Sequence, residues 1–123
     1  MQRKHQALIL AASAFLAACG GSSTDTNSLP ATPTQTATVA ATPSIAFTPN
    51  TVTVLPGGSV TFNFGSVAHN VFFDNGQEGA PANITGENAS VSKTLTFTTP
   101  GVYVYNCHIH PGMSGTVVVK LAT

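Results

Sequence analysis

Between Cys107 and Met113 the chain reads Cys-His-Ile-His-Pro-Gly-Met, which gathers a thiol, two imidazoles and a thioether into seven residues. The whole sequence holds two cysteines and two methionines, so half of its sulfur sits in this one loop. The spacing Cys107-x2-His110-x2-Met113, across a turn containing Pro111 and Gly112, lets one tight loop aim three side chains at a point. A fourth donor has to come from another strand. The candidate is His69, which follows Gly65 and Ser66 and opens an apolar run through Phe73. A thiolate, two imidazoles and a thioether combine soft and borderline donors. Two histidines and a cysteine in a plane, with a long axial methionine, describe a blue-copper electron-transfer site. Zinc rarely takes a thioether and prefers a closed tetrahedron. A c-type haem needs a second cysteine in C-x-x-C-H, and none is present here.

Donors so far apart in sequence need stiff elements to bring them together. From Ile45 onward the chain alternates. Val52 and Val54 share one side, Val60, Phe62 and Phe64 oppose Thr61 and Asn63, and Val117, Val119 and Leu121 oppose Thr116 and Lys120. A period of two is that of half-buried strands, and Leu55-Pro-Gly-Gly58 and Thr99-Pro-Gly101 read as connections. The predicted strands are 45–47, 51–54, 59–64, 69–73, 91–98, 101–107 and 115–121, about seven short ones. A long loop over 74–88 carries at most one helical turn. This pattern predicts an all-β fold, a two-sheet antiparallel sandwich. A domain of about 80 residues has a small core, to which a bound metal would add stability.

The first 18 residues have the layout of an export signal: Arg3 and Lys4, then an apolar run from Ala7 to Ala18. That run is too short for a bilayer, which takes about 20 residues. The ending Leu16-Ala-Ala-Cys19 resembles the bacterial lipoprotein box, which makes Cys19 the expected lipidation site and first mature residue. Gly20 rather than Asp follows, which slightly favours the outer membrane, with the domain in the periplasm or at the cell surface. The alternative for an exported chain is a Cys19–Cys107 disulfide. Residues 19–44 are rich in Ser, Thr, Pro and Ala without apolar period, and read as a disordered tether. The copper domain is then expected over 45–123.

The stretches Phe47–Phe64, Ala68–Phe73 and Gly101–Val119 strongly resemble the cupredoxins, the plastocyanin–amicyanin–pseudoazurin family, and the compact ligand loop is most similar to that of amicyanins. The resemblance implies a Greek-key β-sandwich holding one copper ion at its end. His69, Cys107 and His110 would be its equatorial ligands and Met113 its axial one. It further implies that Asn70 fastens the two ligand-bearing segments and bonds near the thiolate. The loop histidine, His110, with Pro111 and Gly112, would be the surface port for electrons, where redox proteins dock transiently. His108 departs from the family, which often has Ser or Thr there. Strand alternation turns it away from Cys107 toward solvent. The sharper alternative is a second metal site bridged by the Cys-His pair, as in copper nitrite reductases and multicopper oxidases, which need further histidines.

Charge narrows the remaining classes. Only 7% of residues are charged and the formal net charge is zero, which excludes the basic footprint of a nucleic-acid binder and leaves mild electrostatic steering. The resulting expectation is a monomeric one-electron carrier, not an enzyme, that cycles Cu(I) and Cu(II) and meets the membrane only through lipid. A copper chaperone or buffer would use the same residues but favours Met-rich and His-rich tracts. A structural surface lipoprotein without metal would not need the complete donor set.

Overall fold

The computed structural model describes residues 31–123. The expected signal segment, Cys19 and the first part of the tether lie outside the described residues. Eight strands follow in order: β1 (Thr34–Thr42), β2 (Ala46–Thr48), β3 (Thr51–Phe64), β4 (His69–Phe73), β5 (Ile84–Asn88), β6 (Val91–Phe97), β7 (Gly101–Asn106) and β8 (Ser114–Val119). No helix occurs among the described residues.

Both layers hang on β3. Its first part runs parallel to β8, from Thr51↔Thr116 to Val54↔Val119. Its second part pairs in parallel with β1, up to Ala41↔Phe64, and antiparallel with β6, from Gly58↔Phe97 to Phe64↔Val91. One layer is therefore β2-β1-β3-β6 and the other β3-β8-β7-β4-β5, which makes a Greek-key β-sandwich. The strand changes layer at Pro56-Gly57-Gly58. Gly57 has φ +87°, a conformation open to glycine. A Cβ on Gly58 would stand 2.6 Å from the Gln35 carbonyl oxygen, so only glycine lets β1 pass that close.

Several sequence expectations are corrected here. The strands expected at 51–54 and 59–64 are one strand, because Gly57 and Gly58 bend the chain without ending its pairing. The sandwich is mixed rather than antiparallel, with parallel ladders β1/β3 and β3/β8. The disordered tether does not extend to residue 44, and the folded domain begins near Thr34 rather than Ile45. In β1 only Val39 and Ala41 are buried, so hydrophobicity is weak, and β-branched threonines suit the strand instead. The long loop 74–88 ends in β5, a strand with only Ile84 and Asn88 buried, and it contains no helical turn.

Tyr105 lies at the centre of the core. Its ring meets Phe47 at 4.8 Å, Phe62 at 5.3 Å and Phe73 at 6.1 Å, all edge-on, and each such pair adds about 0.5–1.5 kcal/mol beyond area burial. Its hydroxyl has no hydrogen-bond partner among the described residues, and burial raises its pKa, which keeps it neutral. The phenol rests on Gly115, its cross-strand neighbour in β8. Tyr103, by contrast, donates its hydroxyl to the Thr99 carbonyl at 2.6 Å and ties the β6–β7 corner. Past the last β4–β7 pair, Phe73↔Tyr105, the Asp74 N–H donates to the Val104 carbonyl at 3.0 Å and the Gln77 amide continues the ladder. Its oxygen accepts the Val104 N–H at 2.7 Å and its nitrogen donates to the Val104 carbonyl at 3.0 Å.

Adding a methyl at Gly115 would displace the Tyr105 phenol. Gly115→Ala is expected to cost about 1–3 kcal/mol in urea unfolding, whereas Tyr105→Phe, which removes only the partnerless hydroxyl, should leave stability unchanged or raised.

Candidate metal centre

Two segments bring donors to one end of the sandwich. The β7–β8 hairpin closes its last pair at Asn106↔Ser114, and the loop 107–113 extends beyond it. Within that loop the Cys107 N–H donates to the Met113 carbonyl at 2.9 Å and the Met113 N–H to the His110 carbonyl at 3.2 Å. These bonds curl the loop so that Cys107 and Met113 are buried while Pro111 and Gly112 stay exposed. His69 opens β4, opposite Asn88 of β5, at an irregularity in the β4–β5 register.

The structure brings His69, Cys107 and His110 together. The Nδ1 atoms of the two histidines are 3.1 Å apart, and Cys107 Sγ lies 3.9 Å from that of His69 and 3.8 Å from that of His110. In the plane of this triangle, a point about 2.0 Å from both nitrogens is about 2.3 Å from the sulfur, which are ordinary first-row metal bond lengths to imidazole and thiolate. The donor set therefore fits a single ion held in a trigonal plane. Cys107 is a free, buried thiol among the described residues, and Met113, only 3% exposed, lies at the other end of the same loop.

The donors are held from behind. His69 is fully buried, and its Nε2 lies 2.9 Å from the Thr42 carbonyl. A carbonyl can only accept, so Nε2 carries the proton and neutral His69 presents a bare Nδ1 to the centre. Burial pushes this imidazole below its ordinary pKa of 6.5; the Thr42 bond opposes the shift and His110 adds to it. The Asn88 amide donates to the His69 carbonyl at 3.0 Å and to that of Thr85 at 3.1 Å. Asn70 joins β4 to the ligand loop, because its side-chain oxygen accepts the His108 N–H at 2.7 Å while its nitrogen donates to the Gly86 carbonyl at 3.2 Å. Its bond reaches residue 108, next to Cys107, while the Cys107 N–H goes to Met113. The His108 ring is exposed and stacks on Phe72 at 4.0 Å, with 10° between the planes. At the loop tip His110 is half-buried.

Two of these supports were not foreseen from the sequence. Thr42 acts through a backbone carbonyl, for which residue identity carries no signal. Asn88 sits in Asn-Ala-Ser, and its only sequence signal was that of a glycosylation sequon.

A Greek-key sandwich with two nitrogens and a sulfur set for one ion at its end defines a mononuclear soft-metal centre. The profile of copper-binding proteins of the plastocyanin/azurin family matches residues 34–120, and the chain belongs to this family. Copper is the cofactor that the family and the donor set define. Chloroplast plastocyanin of Physcomitrium patens is 35% identical over 89 residues, which cover 63% of this chain and 52% of that protein. The chain thus spans about half the length of this relative. A reduced Cu(I) amicyanin variant superposes with a TM-score of 0.60 at 32% identity, covering 68% of this chain and 80% of that one. The copper nitrite reductase NirK of Thermus scotoductus SA-01 superposes at 0.59 and 25% identity, covering 82% of this chain but 25% of its own.

Because folded His69 resists a proton that the unfolded chain takes up near its ordinary pKa, this contribution to stability is complete above roughly pH 6.5 and is lost as pH falls below it. Urea unfolding of the metal-free protein should show that decline, and it should be smaller in His69→Gln. Asn70→Ala should weaken copper binding by about 10–100-fold, measured by competition with a chelator of known affinity.

Proposed function

We propose that this protein is a one-electron carrier whose single copper ion alternates between Cu(I) and Cu(II). The observation that carries this reading is the donor triangle, already at bonding distance and anchored by Thr42, Asn70 and Asn88. When bound, copper supplies the one-electron couple, with little rearrangement required of ligands so placed. Cys107 would hold the ion through its thiolate, His69 and His110 through their Nδ1 atoms, and the buried Met113 would offer its thioether from the other end of the same loop.

His110 is the port through which electrons pass. It is half-buried beside exposed Pro111 and Gly112, so a partner can approach the loop while His69 stays sealed inside. With few charges nearby, docking to redox proteins is weak and brief, and its salt dependence is modest. The carrier reading rather than an enzymatic one is supported by the plastocyanin and amicyanin similarities, since the nitrite reductase is matched over only a quarter of its length. The basic start, apolar run and Leu16-Ala-Ala-Cys19 ending support export and lipid anchoring through Cys19, with the domain facing the periplasm. A tether of this kind raises the local concentration of a carrier around membrane-bound partners.

Protein loaded with Cu(II) should absorb intensely in the visible through thiolate-to-copper charge transfer. Cys107→Ser should abolish the band, and Met113→Gln should keep the colour while shifting the reduction potential. Tight Cu(I) binding without a stable Cu(II) form would instead make the protein a copper chaperone or buffer, and no metal uptake would leave a structural domain.

A further inference from the structure

The turn that holds the His69 ring has an unusual backbone. Ile45 has φ +62°, a left-handed conformation that is an outlier for a β-branched residue, and its side chain is 40% exposed, so burial offers little in return. Within the turn the Ile45 N–H donates to the Thr42 carbonyl at 3.1 Å. The Thr42 hydroxyl lies 3.0 Å from the Ala46 carbonyl and 2.9 Å from the Ser44 hydroxyl. The same Thr42 carbonyl receives the His69 Nε2–H. Two lone pairs of one oxygen thus serve the turn and the imidazole.

The end of β1 that carries this carbonyl is fixed in turn. The Gly65 N–H donates to the Ala41 carbonyl at 3.2 Å and the Ser90 N–H to the Gly65 carbonyl at 2.8 Å. Ser90, φ +58°, is the other non-glycine residue in the left-handed region among the described residues, two positions after the Asn88 that grips the His69 backbone. Strained residues persist where their surroundings over-determine them, and they gather at functional sites. Here both lie in the turns that brace His69.

We propose that the Thr42–Ile45 turn is a latch that sets His69 before any metal arrives, with Ile45 as its positioning residue. The left-handed backbone at Ile45 aims the Thr42 carbonyl at Nε2, locks the proton there, and leaves Nδ1 bare toward Cys107 and His110. The inference rests on the reading of His69 as a copper ligand, but the latch exists in the metal-free protein and is measured there.

The test is nitrogen-15 NMR of the metal-free full chain, reading the tautomer of His69 and the coupling across its hydrogen bond to the Thr42 carbonyl carbon. The wild type should show Nε2–H and the coupling. Ile45→Asn, which accepts a left-handed backbone, should keep both, keep copper affinity, and raise the folded-to-unfolded ratio several-fold. Ile45→Pro, with φ fixed near −65° and no N–H, should lose the coupling and bind copper about 10–100-fold more weakly. Wild-type protein lacking the coupling would overturn the latch, even if Ile45→Pro fails to fold. So would a folded Ile45→Pro with unchanged tautomer and affinity, or an Ile45→Asn no more stable than wild type. Failure of the wild type to bind copper would defeat the copper reading alone, since the coupling still decides on the latch.

Discussion

Two imidazole nitrogens and a sulfur that turn toward one place have given up water to be there, and once all three have shed their protons for an ion their lone pairs repel each other. The 3.1 Å between the Nδ1 atoms of His69 and His110 therefore needs continuous restraint from outside the triangle. That restraint is distributed. One carbonyl holds the far nitrogen of His69, one amide holds its peptide, and one side-chain oxygen ties β4 to the peptide beyond Cys107. A single hydrogen bond of this sort contributes about 1 kcal/mol net. The fixed spacing therefore results from several such bonds acting on one stiff sandwich, and the proposed electron transfer with little rearrangement would draw on the same stiffness.

The fold class and the ligand loop were legible in the sequence because both are written in side-chain type. Val52 and Val54, Val60 to Phe64, and Val117 and Val119 alternate as strands must, whereas Leu121, expected to continue the last run, lies beyond the end of β8 and is exposed. Cys107, His110 and Met113 stand at spacings that a tight turn can close. What escaped was written in the backbone. In β1 only Val39 and Ala41 are buried, so a threonine-rich strand that lies against β3 through its ladder looked like a solvated tether. The carbonyl of Thr42 has no letter of its own. Asn88 has one, but its role follows from a register with His69 that no local pattern shows.

The strand that looked like tether joins the core to the site. Val39 and Ala41 enter the core beside Phe62 and Phe64, and the next residue but one, Pro43, begins the turn that reaches His69. β3 has a similar double role, since its bend at Gly57 and Gly58 lets one strand belong to both layers. Through these two elements the packing around Tyr105 and the placement of the metal donors become one mechanical problem. Each ligand-bearing segment, β4 and the β7–β8 hairpin, belongs to the layer that β3 links to β1.

The Gln77 side chain carries a consequence beyond the site. Beyond the last β4–β7 pair, Phe73↔Tyr105, the Asp74 N–H still reaches the Val104 carbonyl at 3.0 Å, which leaves the Val104 N–H without a strand partner beside the exposed valine at 102. An open ladder flanked by apolar residues invites another chain to add itself as a strand. The glutamine amide occupies both groups of Val104 at once, imitating one residue of a neighbouring strand that can recruit no successor. With a single side chain, this plug denies the seam to an incoming strand.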